Sequence, residues 1–176
     1  MKPVMKPSGN YETDGDDKDE LSRKLNLIET VYSGIGELKR YEKPKTSEIV
    51  DIGHKTSFTK RICYADVYLF SLISGDWNLI HHNPEFAEKT KFRKRIVHGM
   101  LTSSLISAAL NLLPGTVILL KSSQEYLRPV YLGDTITAEA EVVEKLPKNR
   151  YTVRTTCKNQ DGEVVIRGEC TILILE

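Results

Sequence analysis

Apolar and polar positions change period several times along this chain, and each change predicts an element. Residues 19–41 place Leu21, Leu25, Ile28, Tyr32 and Ile35 at three- and four-residue steps, which predicts an amphipathic helix. Gly34 and Gly36 weaken its second half, since glycine is about 1 kcal/mol less favourable than alanine inside a helix. Residues 55–63, KTSFTKRIC, alternate and are rich in Thr, Phe and Ile, as a strand would be. A helix follows over residues 64–73, with Gly75 where a left-handed residue ends a helix. Asn83 can cap a further short helix that has Pro84 at its first position, where the missing N–H costs nothing. Residues 76–82 between these signals read as a loop. Residues 99–112, GMLTSSLISAALNL, are nearly all apolar or small and predict a helix surrounded by protein, stopped by Pro114-Gly115. Strands are then expected over residues 117–128, 135–144, 151–158 and 164–175. Turns fall at Gly133-Asp134, residues 147–149 and Asp161-Gly162. One strand, then helices, then four antiparallel strands predict an α+β domain whose sheet covers the long helix.

The N-terminal region differs in character. Residues 1–20 hold Pro3, Pro7, Gly9, Gly15 and the acidic run DGDDKDE, with little to bury, and are expected to form a disordered tail. The run lacks the ligand order and distal glutamate of a calcium loop, and its acidity argues against a mitochondrial presequence. The expected organisation is a tail over residues 1–20, a helical arm over 21–45 that packs on the domain or on a partner subunit, and one domain over 46–176. The GIG at residues 34–36 lacks the third glycine and preceding strand of a dinucleotide loop. At 176 residues and 40% hydrophobic content the chain can bury a full core. A net charge of +1 makes no case for nucleic acid or a membrane surface, and the apolar runs are far short of a bilayer span. Cys63, Cys157 and Cys170 are odd in number and lack metal-type spacing, as expected of reduced, partly buried thiols in a cytoplasmic protein.

Candidate chemistry concentrates in the loop. Asp76, Asn78, His81 and His82 lie within seven residues, between apolar flanks. On a regular helix Asp76 and His81 would stand about 140° apart, so they share a face only if the backbone turns between them. Spacing alone leaves open a turn-capping Asp76 and a core His81. A metal centre is not expected, because adjacent histidines diverge and neither a C-x-x-C nor an H-x-x-x-H pair is present. No G-x-S-x-G elbow occurs. The run KTKFRKR, with Lys89, Lys91, Arg93, Lys94 and Arg95, is either a solvated loop or a patch that meets an anionic handle. Phe92 is its one aromatic residue, too little for single-stranded nucleic acid.

The stretch SGDWNLIHHNPEFA (residues 74–87) resembles the signature of the MaoC-like dehydratases, the R-specific enoyl-CoA hydratases. Their pattern runs Ser-Gly-Asp-x-Asn-Pro-Ile/Leu-His, with an alanine six residues after the histidine, here Ala87. RIVHGML (95–101), LPG (113–115) and PVYLGD (129–134) resemble the later blocks of that family, in its order. Leu79 departs from the pattern, standing where the family usually has proline.

The resemblance implies a hot-dog fold, an antiparallel sheet wrapped around a long central helix, and pairing of such sheets into dimers or higher oligomers. It implies addition or removal of water across the C2–C3 bond of an acyl thioester. Asp76 and His81 would handle the water and its protons, and the backbone N–H of Gly99 would stabilise the thioester oxygen. The expected substrate-binding group is Asn78, His98, Ser107, Arg93, Lys94 and Arg95. Within it Asn78 holds the loop or the Asp76 carboxylate, and His98 anchors the turn entering the long helix. Ser107 lies near the acyl chain or in the core. The three basic residues meet the phosphates of coenzyme A or the acidic face of an acyl carrier protein. No cofactor is expected beyond the coenzyme A or phosphopantetheine thioester that carries the substrate. A hot-dog acyl thioesterase and a non-catalytic thioester-binding or dimerising module are the alternatives.

Overall fold

The computed structural model describes residues 15–36 and 49–175; the expected tail before residue 15, the expected arm beyond residue 36 and most of the linker over residues 44–51 lie outside them. Helix α1 (Gly15–Ile35) forms a unit of its own, distinct from the unit that contains every other element. It begins four residues before the expected start, inside the stretch expected to be disordered. Leu25, Leu27, Ile28 and Val31 of α1 are exposed.

The second unit runs β1 (Lys55–Arg61), α2 (Tyr64–Ser74), α3 (Leu79–His82), α4 (Pro84–Glu88), α5 (Gly99–Asn111), β2 (Thr116–Tyr126), β3 (Thr135–Leu146), β4 (Arg150–Lys158) and β5 (Val164–Leu175). Its five strands form one antiparallel sheet in the order β1-β3-β4-β5-β2. Strand β3 shows why one face is buried: Ile136, Ala138, Ala140 and Val142 point to the core, and Glu139 and Glu141 point away. Helix α5 supplies the other half of that core with Leu105, Ile106, Ala109 and Leu110. The small Ala138 and Ala140 are among the sheet residues of the same core, and Thr56 Oγ1 donates to Ala109 O (2.7 Å), tying β1 to α5. This is the expected hot-dog architecture.

Three local departures matter. Residues 76–82 are not loop throughout, because Leu79–His82 form the single turn α3, capped by Asn78 Oδ1 accepting from the Ile80 N–H (3.1 Å). Helix α5 is not enclosed on all sides either. Met100, Ser104 and Ser107 recur at helical spacing and are exposed, so Ser107 is not a core residue. Finally, β2 is an edge strand with Ile118, Leu119 and Leu120 exposed, and its register shifts between Leu119 and Lys121.

Candidate active site

The turn out of α2 creates the site. Gly75 adopts φ 76°, its N–H returns to Ser71 O (2.9 Å), and the helix ends there. A β-carbon would be strained at that φ, which is why glycine serves. Asp76 follows, with its N–H donating to Ser74 Oγ (3.2 Å) and its Oδ1 accepting from the Asn78 N–H (3.1 Å). Asn78 thus steadies Asp76 through its main chain, and its side chain caps α3. This is the expected hold on the loop and on the Asp76 carboxylate. These bonds leave Asp76 Oδ2 directed at two imidazoles.

His81, on α3, is 8% exposed. Its Nδ1 lies 2.8 Å from Ile96 O, and a carbonyl oxygen only accepts, so Nδ1 carries the hydrogen. With Nδ1 holding that hydrogen, Nε2 is the ring nitrogen left to accept, and it lies 4.0 Å from Asp76 Oδ2. That span is too long for a direct hydrogen bond. It suits one water lying roughly 2.8 Å from each acceptor, with an angle of about 90° between them. Both groups accept, so such a water donates both hydrogens and keeps its lone pairs for attack.

His98, immediately before α5, is 2% exposed. Its Nε2–H donates to Asp76 O (3.1 Å), and its ring lies against that of His81. Burial lowers its pKa below the ordinary 6.5, so the ring stays neutral near pH 7. It stands at the turn entering α5 and forms the wall behind the Asp76–His81 pair. Depth in the fold decides this, and spacing along the chain does not reveal it.

Asp76 Oδ2 and one ring nitrogen each of His81 and His98 lie within 4.8 Å of one another, which raises the question of a metal. The donor set fits one poorly. Ligation through His98 Nε2 would move its hydrogen to Nδ1, which is buried and has no partner among the described residues. A metal-bound histidine almost always donates its other N–H.

Gly99 opens α5 one residue after His98, so its N–H has no partner within the helix. The Tyr126 ring lies against it: a β-carbon on Gly99 would come 2.8 Å from Tyr126 Cε1. Tyr126 O–H donates to Met100 Sδ (3.1 Å). Nothing in the sequence pattern singled Tyr126 out, because β2 is remote in the chain.

The basic run divides. Arg95 Nη1 donates to His82 O (3.4 Å), and its guanidinium lies 4.8 Å from the centre of the Tyr64 ring, so it braces α2 against α3. Arg93, with φ 60°, and Lys94 are exposed, and with Arg95 they line a cleft shared with Pro84, Glu88, Tyr131 and Leu132.

Residues 45–163 match the MaoC like domain. An (R)-specific enoyl-CoA hydratase of Rhodospirillum rubrum is 41% identical over 130 residues, 72% of this chain and 90% of that protein. A mitochondrial 3-hydroxyacyl-[acyl-carrier-protein] dehydratase of Arabidopsis thaliana is 32% identical over 154 residues, 84% of this chain and 92% of that protein. A crystal structure of an Archaeoglobus fulgidus protein, 40% identical, superposes with a TM-score of 0.82 over 90% of this chain and 99% of its own. That likeness extends beyond the matched domain. With the domain matched over more than half of its length, and relatives this similar along nearly the whole of theirs, the chain belongs to the MaoC-like dehydratase family.

Proposed function

We propose that Asp76 and His81 act on one water to hydrate the C2–C3 double bond of an enoyl thioester, giving the (R)-3-hydroxyacyl thioester, and that they catalyse the reverse dehydration. The observation that carries this reading is the pairing of two acceptors, Asp76 Oδ2 and the His81 Nε2 lone pair, across 4.0 Å. The water oxygen bonds to C3 as one of its protons passes to the pair. The hydrogen it retains stays bonded to the other acceptor. The thioester oxygen takes up enolate charge and collapses as the pair returns the proton to C2. Atoms and charges then balance with no other reactant.

The backbone N–H of Gly99, at the positive end of α5, is the donor for that transient oxyanion. Chain connectivity supports the assignment, since His98 both contacts His81 and directly precedes Gly99.

The carrier of the acyl group is either coenzyme A or an acyl carrier protein, as the names of the two relatives indicate for those proteins. Both present phosphate, and Arg93 and Lys94 are the exposed cations that suit it. The exposed apolar edge of β2 and the open face of α5 support a homodimer formed through this side. Among the described residues no helix is long and apolar enough to cross a membrane. Three thiols outside any disulfide support a reducing, cytoplasmic setting.

The test is hydration of crotonyl-CoA, followed by loss of its ultraviolet absorbance with chiral analysis of the product. Asp76→Asn should fold normally and turn over at least about a hundredfold more slowly. Release of free coenzyme A in place of hydration would favour a thioesterase. Binding of the thioester without turnover would favour a non-catalytic module.

A further inference from the structure

Behind the pair lies a second polar cluster that the reaction as described does not use. Ser71 sits in the second half of α2, within the largely apolar stretch from Val67 to Ile73, and is 0% exposed. Its Oγ is 3.1 Å from Val67 O, 2.8 Å from His82 Nε2 and 3.3 Å from His98 Nε2. Tyr64 Oη is 3.3 Å from His82 Nδ1. A single assignment of hydrogens satisfies every one of these contacts. Val67 O can only accept, so the Ser71 hydroxyl donates to it and both of its lone pairs are left to accept. His98 carries its hydrogen on Nε2, already required by Asp76 O at 3.1 Å, and shares it with Ser71. His82 then donates from Nε2 to Ser71 and accepts at Nδ1 from the Tyr64 hydroxyl. No donor in this chain of contacts meets another donor.

The outer side of His82 is closed by aromatic rings. Trp77 lies 5.1 Å from it, centroid to centroid, and Tyr68 packs edge-on against Trp77 at 5.4 Å. His82, half-buried, is therefore contacted at both ring nitrogens and from one face. Its burial also favours the neutral ring that this hydrogen assignment needs.

We propose that Ser71 and His82 are positioning residues for the reaction: Ser71 Oγ receives the Nε2–H of both His82 and His98, and so fixes the ring that stacks on His81 and holds the main chain of Asp76. Both acceptors of the attacking water depend on that one ring, His81 by contact and Asp76 by hydrogen bond. A displacement of about 1 Å at a reacting group lowers rate about a hundredfold, so a partial loosening of His98 is visible in turnover. The effect falls on kcat, because neither Ser71 nor His82 contacts the substrate.

This inference rests on the hydratase reading, and two measurements keep the two separable. The first is kcat and KM on crotonyl-CoA for Ser71→Ala, His82→Leu, His82→Gln and the Ser71→Ala/His82→Leu double variant. Each of Ser71→Ala and His82→Leu should lower kcat about tenfold with KM within about twofold, intermediate between an intact site and a 1 Å displacement. His82→Gln keeps an amide donor near the Nε2 position and should stay within about threefold of the parent. The double variant should be no slower than the slower single, because the two residues act as a unit. An unchanged kcat in both singles, a change confined to KM, equal loss in His82→Gln and His82→Leu, or losses that multiply in the double variant would each overturn the proposal. The second measurement, long-range 1H–15N NMR of the histidine rings, needs no turnover. His82 and His98 should be Nε2–H tautomers, and Ser71→Ala should abolish the single tautomer of His82. A His98 Nδ1–H tautomer, or a His82 unaffected by Ser71→Ala, overturns the hydrogen assignment even if the protein hydrates thioesters. A parent protein that shows these tautomers but no hydration would instead sink the hydratase reading.

Discussion

The imidazole of His81 lies against that of His98, with centroids 3.7 Å apart and planes inclined by 30°. Two rings this close do not both carry a proton at modest cost, which adds to burial in keeping His98, the deeper of the two, neutral. Burial is the first cause of the lowered His98 pKa. The unfolded chain binds a proton at its ordinary value of 6.5, and the native chain does so only at lower pH. Between those values the unfolded state holds more protons. The stability due to neutral His98 is therefore complete above 6.5 and lost as pH falls toward and through the lowered value. Thermal melts from about pH 8 to 5 should show a steeper acid loss in the parent than in His98→Asn. Equal slopes would remove His98 from the pH dependence.

Leu79 should be replaceable by proline. It is the first residue of α3, where a missing N–H leaves no helical hydrogen bond unmade, and it is 51% exposed. Asn78, at φ −55° and ψ 130°, already holds the extended conformation that a following proline demands. Leu79→Pro should keep kcat within about twofold and stabilise the fold by about 0.4–1 kcal/mol, read as a raised Tm. A lower Tm would show that the Leu79 side chain packs more than its exposure indicates.

Gly99→Ala tests how closely Tyr126 guards the start of α5. The added carbon meets the Tyr126 ring at 2.8 Å, so the ring must move. Turnover should fall about tenfold as geometry at the oxyanion donor is disturbed. Combining Gly99→Ala with Tyr126→Ala removes the clash and should recover most of that loss. Failure of the second substitution to recover activity would mean that alanine at 99 itself obstructs the substrate.

The basic residues should separate by role. Arg93→Ala/Lys94→Ala should raise KM for an acyl-CoA more than it lowers kcat, as loss of uniform binding does. The effect should shrink with added salt, because exposed charges are screened over about 10 Å at 0.1 M. Arg95→Ala should act differently and lower Tm, since it removes the contact to the Tyr64 ring and the bond to His82 O. A KM that ignores both the Arg93/Lys94 change and the salt would return that pair to solvated surface.

Local signals in the sequence already carried much of the molecule. The alternation of β3, the glycine after α2, the Asn83-Pro84 start of α4 and the small-residue run of α5 are short-range patterns, each formed by neighbours within a few residues. Spacing left the relation of Asp76 to His81 open, and it was the resemblance of residues 74–87 to a family signature that pointed to the pair. What the sequence did not hold was depth and long-range contact. Only the packed fold put His98 beneath His81, seated Ser71 against two histidines drawn from different segments, and laid Tyr126 of β2 on Gly99. Only the fold gave Arg95 the Tyr64 ring as a partner, and left Ser107 on the open face of α5. Hydrophobic period specifies which face of an element is buried, but the partner across that face is chosen by close packing of elements distant in the chain.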